Sequence, residues 1–256
     1  MEEREKMKKI LLALFIFIIS GVAFSESKIG VGLGIGGTNN IFKKKDNDVL
    51  FIPIFDIKYQ NFYVQDLNVG YNFYENNLWS TSIYIEPFSS HSLKRKDMKN
   101  GYKNIDNRDS QVMGGISFNF KPIFATYGIG IDLHLQGGEN GEEGKINLYK
   151  PYSAGDKLAI IPTVYLRGFS KDYVDYYFGV SSKERDRSKT DKLDKKYDGK
   201  NAWAYGGGIL IDYQLRENIS ISTFAGVEKF SKEISKSPIV KNDLIYIVGT
   251  GIKYYF

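Results

Sequence analysis

Apolar residues recur at every second position along most of this chain, and few patterns restrict the accessible folds so sharply. Tyr127, Ile129, Ile131, Leu133 and Leu135 alternate with Gly128, Gly130, Asp132, His134 and Gln136. Trp203, Tyr205, Ile209, Ile211 and Tyr213 alternate with Ala204, Gly206, Gly208, Asp212 and Gln214. Val112, Ile116, Phe118 and Phe120 alternate with Gln111, Gly115, Ser117 and Asn119, and Leu244, Tyr246, Val248, Ile252, Tyr254 and Phe256 share one parity. Successive side chains of a strand point to opposite faces, so each segment carries one apolar face and one of glycine and polar residues. No long stretch shows the 3.6-residue period of a helix.

Two architectures produce such segments. A soluble sandwich turns the apolar face inward; an outer-membrane barrel turns it to lipid and the polar face to the lumen. The segments are about ten residues long, as a tilted bilayer-crossing strand requires. Aromatics gather at segment ends, in "YNFY", "DYYF" and "KYYF", which suits interfacial girdles. The expected fold is therefore all-β: a closed antiparallel transmembrane barrel of about twelve strands. They are read near 28–37, 49–59, 62–74, 78–88, 110–120, 123–136, 144–152, 158–170, 172–181, 202–215, 218–230 and 243–256. Closure leaves no exposed sheet edge.

A cleavable signal peptide is expected over residues 1–25. Lys8 and Lys9 precede the apolar run Ile10 to Ile19, and Ala23-Phe24-Ser25 fits a small-x-small cleavage site. The run is too short to span a bilayer as a helix. Without these residues the formal charge falls from +5 to +4, which gives no reason to expect a nucleic-acid partner. The chain has no cysteine, so disulfides and thiolate metal sites are excluded.

"KIGVGLGIGG" (28–37) contains G-x-G-x-x-G at Gly32, Gly34 and Gly37, the spacing of a dinucleotide loop. That reading needs a helix directly afterwards, and "TNNIFKKKDND" opens none. Gly30, Gly32, Gly34 and Gly36 are instead the lumen face of a first strand, leaving room or permitting curvature, with Ile29, Val31, Leu33 and Ile35 toward lipid. No cofactor, metal or catalytic residue is expected. Asp132 and His134 share a lumen face and, with Asp212, are read as parts of a hydrogen-bonded lumen network. His91-Ser92 suggests a lipid-cleaving pair only weakly, because no orienting partner is identifiable. The mixed-charge run 181–200 reads as a solvated loop rather than a lipopolysaccharide or partner contact.

"QN" (60–61), "SK" (170–171) and "REN" (216–218) are tight and expected in the periplasm; 38–48, 182–201 and 231–242 are long and expected outside. Segment 89–109 is long and basic yet falls on the periplasmic side of this count. Either a strand pair is missed, or a periplasmic element is present, which would then be the candidate partner contact.

The last third carries a resemblance. "DYYFGVS" (175–181), "YDGKNAW" (197–203), "ISISTFAGVEKF" (219–230), "SPIV" (237–240) and the ending "GTGIKYYF" follow one another in an order that resembles the MipA/OmpV family of outer-membrane proteins. The landmark positions are Tyr177, Phe178, Gly179, Ser237 and Pro238; "FIPIFDIKYQNFYV" (51–64) is similar to the family's second and third strands. "TNNIFKK" stands where the family often has Tyr-x-Gly, and Lys236 where an acidic residue commonly precedes Ser-Pro. Gly251, Tyr254 and Phe256 resemble the terminal signal read by the barrel-assembly machinery. The resemblance implies an outer-membrane barrel without enzymatic activity of its own, a scaffold linking a murein lytic transglycosylase to a penicillin-binding protein. The expected surroundings are outer-membrane lipid and the cell envelope. The alternatives from other classes are a small porin and, last, a lipid-modifying enzyme using His91 or His134.

Overall fold

In a computed structural model of the chain, which describes residues 28–44, 48–65, 67–89, 91–121, 128–187 and 192–256, the strands form one antiparallel sheet closed on itself. The expected signal peptide lies outside the described residues. The strands are β1 (Lys28–Thr38), β2 (Asp48–Tyr59), β3 (Phe62–Gln65), β4 (Asn68–Glu75), β5 (Trp79–Ser89), β6 (Gln111–Phe120), β7 (Gly130–Gly138), β8 (Gly141–Tyr149), β9 (Tyr152–Ala154), β10 (Leu158–Phe169), β11 (Ala202–Arg216), β12 (Ile219–Phe230) and β13 (Leu244–Tyr255). β13 returns to β1 in a register running from Gly30 opposite Tyr255 to Thr38 opposite Ile247, which seals the sheet. β8 and β9 share one edge of β10, so the barrel has 12 strand places.

The alternation behaves as a lipid-facing wall demands. Leu33 is 71% exposed, Phe51 82% and Val112 61%, all on the outside. An aqueous exterior would make such a surface an aggregation hazard, whereas hydrocarbon welcomes it. Outward aromatics collect at both rims. Tyr59, Phe62, Phe120, Tyr213 and Tyr254 lie at one end, and Trp203, Tyr205 and Tyr246 at the other.

Two sequence expectations are corrected. Residues 62–74 are not one strand: Gln65 pairs with Asn68 and Phe62 with Tyr71, so the chain doubles back. Residues 172–181 are not a strand but contain helix α1 (Lys171–Phe178). Tyr173, Val174, Tyr177 and Phe178 form its buried stripe, a spacing that fits a helix and not a pleat. Ser170 caps it, its hydroxyl accepting from the Tyr173 N–H at 3.4 Å. "SK" (170–171) is accordingly a helix start, and the "DYYF" aromatics are core rather than girdle. One strand gained and one lost leave the total unchanged.

The same differences move segment 89–109 to the other end of the barrel from that expected. Joining β5 to β6, it lies at one end of the barrel with the connections 39–47, 170–201 and 231–243. Among the fully described connections, the other end carries the short ones 60–61, 76–78, 155–157 and 217–218, with the start of β1 and the end of β13. Bacterial barrels place short turns in the periplasm and long connections outside; by that rule 89–109 belongs to the extracellular end and not to the periplasmic face expected of it.

Candidate functional site

The long connections do not splay into solvent. They fold over the mouth of the barrel as an apolar dome. Its residues come from the whole circumference: Phe42 after β1, Leu93 and Met98 after β5, Met113 from β6, Phe169 from β10, Phe230 from β12. Tyr173, Tyr177 and Phe178 of α1 are fully buried at its centre. Each large apolar side chain withdrawn from water contributes about 1.5–3 kcal/mol, which offsets the entropy cost of ordering long connections. Isolated bridges tie the connections together: Phe42 with Val240, Lys44 with Met98, Leu93 with Arg108, and Val180 with Tyr197.

Polar contacts inside the dome are specific. Helix α2 (Ser182–Arg187) buries one residue, Glu184. Its carboxylate accepts from the Arg108 guanidinium at 2.7 Å and from the backbone N–H groups of Asp106 at 2.7 Å and Ser181 at 2.8 Å. Burial opposes the charge, but these donors outweigh it and hold the carboxyl below its ordinary range. His91 lies among the rings of Phe178 and Phe230, with centroids 5.4 Å and 5.6 Å away. Desolvation, reinforced by Arg167 and Lys44, pushes its pKa down to about 3, so it is neutral at ordinary pH. Its Nδ1 meets the Tyr173 hydroxyl at 3.3 Å. No serine–histidine–carboxylate arrangement forms around it among the described residues.

The positions that carried the family resemblance converge here. The Ser237 hydroxyl donates to the Phe178 carbonyl at 2.5 Å, and the Pro238 carbonyl accepts from Lys43 Nζ at 2.7 Å. Gly179 packs so closely on the last turn of α1 that a Cβ would stand 3.0 Å from the Asp175 carboxylate and closer still to the Asp175 carbonyl. The Asp175 carboxylate accepts from the Gly199 N–H at 2.6 Å, and the Tyr197 hydroxyl donates to the Glu233 carbonyl at 2.8 Å. Gly141, at φ 107°, lets the β7–β8 turn tuck beneath α1, where the Glu142 N–H donates to the Ser170 hydroxyl at 2.9 Å.

Beneath the dome lies a charged layer. Arg167 reaches Glu143 through Nε at 2.8 Å and Nη2 at 3.0 Å, and Glu228 through Nη1 at 2.9 Å. Bidentate pairing of this kind satisfies the guanidinium fork. Toward the short turns the lumen opens into a cavity of about 850 Å3. Asp132 and His134 both line it, on adjacent inward positions of β7. Asp132 accepts from the Asn119 amide, while His134 sits edge-on to Tyr84 at 5.6 Å. Asp212 lies apart, held by Lys253 at 2.7 Å and the Ser222 hydroxyl at 2.9 Å. The structure thus brings Asp132 and His134 together and leaves Asp212 in a separate pair.

The lumen glycines do not simply leave empty space. A Cβ on Gly30 would come within 2.6 Å of the Tyr255 ring, and one on Gly32 within 3.0 Å of the Lys253 Cα. They permit close approach of β1 to β13 and shelter under an aromatic ring. At the end of the chain Gly251 faces the lumen against Ile54, while Tyr254 and Phe256 point outward with their rings 5.0 Å apart. Sequence reasoning did not single out Arg108, Glu143, Arg167, Glu184 or Glu228. Glu143 and Arg167 stood on the inward parity of their segments, which was the available signal.

Comparison with known proteins matches this architecture. A 24 kDa outer membrane protein of Pasteurella multocida is 30% identical over 99% of both chains. The MltA-interacting protein of Escherichia coli is 28% identical, covering 98% of this chain and 99% of its own. Outer membrane protein OmpV of Vibrio cholerae is 21% identical over 98% of this chain and 100% of its own. The model of the family described as MltA-interacting protein MipA matches residues 30–256, the whole barrel with its dome, and the chain is therefore a member of that family of outer-membrane β-barrel proteins.

Proposed function

We propose that this barrel is a non-enzymatic scaffold of the outer membrane, closed to the exterior, whose short-turn face docks murein-processing enzymes in the periplasm. A lytic transglycosylase is the first partner, in keeping with the name of the Escherichia coli relative, and a penicillin-binding protein is the second implied by the family resemblance. The observation that carries the reading is the dome, an apolar core of side chains from around the mouth of the barrel. A solute pore has no use for such a core on its axis, whereas a scaffold needs a rigid barrel that does not leak. The short-turn face is what such a barrel offers to the periplasm.

The test is capture of a lytic transglycosylase from periplasmic extract by the detergent-solubilised barrel. Short Gly-Ser insertions at the exposed turns 155–157 and 217–218 are expected to reduce capture while folding, read by heat-modifiable gel mobility, is retained. Charge reversal at exposed Lys96 and Lys99 of the extracellular segment should leave capture unchanged. Loss of capture with the lysine reversals and none with the turn insertions would contradict the reading.

A further inference from the structure

The scaffold reading leaves the lumen cavity without a role, although about 850 Å3 lies within the range of small-molecule sites. The dome and the Arg167 layer cover it from one side, so an occupant enters from the short-turn end. Most charges of the lumen are answered within the wall. Asp212 pairs with Lys253, Glu75 with Lys58 and Lys121, and Glu143 and Glu228 with Arg167.

Asp132 and Lys145 are exceptions. Both line the cavity and are half-buried, and neither forms an ion pair among the described residues. Strands β7 and β8 set Asp132 opposite Asn147 and His134 opposite Lys145, so the two charges hold one diagonal of a four-residue square on the inner face. Diagonal neighbours of this kind lie about 7–8 Å apart, within reach of a long side chain, yet these two turn away from each other. Asp132 leans to β6, where its carboxylate accepts from the Asn119 amide. Lys145 leans to β10, where its ammonium rests over the Tyr165 ring, 5.0 Å from the centroid. The carboxylates whose field reaches Lys145 are engaged elsewhere, Glu143 and Glu228 by Arg167 and Glu86 by Gln136. A half-buried charge without a counter-ion costs free energy, and here two opposite ones are held apart on the wall of one cavity.

Aromatic and aliphatic side chains flank this diagonal. Tyr149 lies opposite Gly130 and Tyr165 opposite Gly206, and in both pairs a Cβ on the glycine would run into the ring. Each ring therefore leans over the neighbouring strand, half-buried, instead of standing into the lumen. Tyr165 is also the cross-strand neighbour of Asn147. Ile161 and Leu210, paired across β10 and β11, add an aliphatic side to the same space.

Separate small ions would gain little from single charges beside water. One molecule that carries both charges meets the second at high effective concentration once the first is engaged. The diagonal suits opposite charges a few bonds apart, the separation in an α-amino acid, and the flanking rings suit an apolar side chain. We infer that the lumen binds a small zwitterion of the α-amino-acid class, its carboxylate on Lys145, its ammonium on Asp132 and its apolar body against Tyr149, Tyr165 and the Ile161–Leu210 side. The inference shares the closed dome with the proposed function but does not rest on capture of any enzyme, so the two fail separately.

The experiment uses the full barrel in lipid nanodiscs and saturation-transfer NMR with titration calorimetry. The probes are phenylalanine, N-acetylphenylalanine (no ammonium), phenethylamine (no carboxylate) and glycerophosphoethanolamine, a zwitterion of the lipid-headgroup kind. Phenylalanine is expected to bind, and each singly charged analogue about tenfold more weakly, the loss of roughly one charge-assisted hydrogen bond. Asp132→Asn is expected to abolish the preference over N-acetylphenylalanine while keeping that over phenethylamine, and Lys145→Met the reverse. A merely structural role would weaken all probes alike. Leu166→Ala on the lipid face is the unchanged control. The wild-type comparison of probes stands even if a variant does not fold. No binding of phenylalanine, equal binding of its analogues, tighter binding of glycerophosphoethanolamine, or unchanged preferences in both folded variants would overturn the inference.

Discussion

Glu184 sits on a helix of six residues whose remaining side chains are largely outside the core, yet it is 1% exposed. Removing one partner of a buried ion pair strands the other, which costs about 3–5 kcal/mol. Glu184→Ala is therefore expected to loosen the dome, and limited proteolysis of segment 91–110 at neutral pH should accelerate while the barrel stays folded. Unchanged cleavage would show that Arg108 is satisfied elsewhere. Acid acts in the same place. The folded-state pKa of Glu184 lies below its ordinary 4.5, so its contribution is present above about pH 4.5 and is lost as pH falls through the lowered value. His91 adds to this with the opposite chemistry. Its pKa falls from 6.5 to about 3 in the dome, so below pH 6.5 the unfolded segment takes a proton that the folded one refuses, and stability declines toward pH 3. Protease sensitivity of the extracellular segments should rise progressively below pH 6.5, and His91→Gln should remove the upper part of that rise. At this scale the sequence was partly legible. Inward parity marked Asp132 and His134 for the lumen, and they are there. Glu184 and Arg108 sit in irregular segments, where no period assigns a face, and their pairing spans 76 residues of sequence.

The elements divide in the same manner. Long alternating segments such as β11 and β13 were readable because a membrane-spanning strand must repeat its pattern over its whole length. β3 and β4 merged into one because both alternate. The clue was a change of parity, from Phe62 and Val64 outward to Val69, Tyr71 and Phe73 outward, which a continuous strand cannot make. Helix α1 was lost to its composition, since tyrosine and phenylalanine favour strands; only the Tyr173, Val174, Tyr177, Phe178 spacing spoke for a helix. Two tests belong here. Single cysteines at positions 95 and 217, probed with an impermeant reagent on intact cells, should label at 95 and not at 217. The reverse would mean that the barrel is inserted the other way up. In β1, Gly32→Val places atoms against the β13 backbone, with an overpacking cost of about 1–3 kcal/mol, and should lower the yield of heat-modifiable barrel. Gly37→Ala, where nothing lies within 4 Å, should not. Equal yields would mean that the closing seam tolerates side chains.

For the whole molecule, a ring of twelve strand places could enclose a pore, and the alternating pattern alone left porin and scaffold equally open. What favours the scaffold is tertiary: segments far apart in sequence, none periodic, assemble an apolar core across one mouth. The aromatic–glycine pairs of the wall are likewise invisible before the register is known, because each joins positions on neighbouring strands. On the proposed reading the barrel is a cup, closed outside and open toward the periplasm. Planar-bilayer recording of the purified protein tests this most directly. The intact barrel should give no unitary conductance, and a variant with residues 171–200 replaced by a short flexible linker should give steps. Stable unitary steps from the intact protein would contradict the closed cup and favour a small porin.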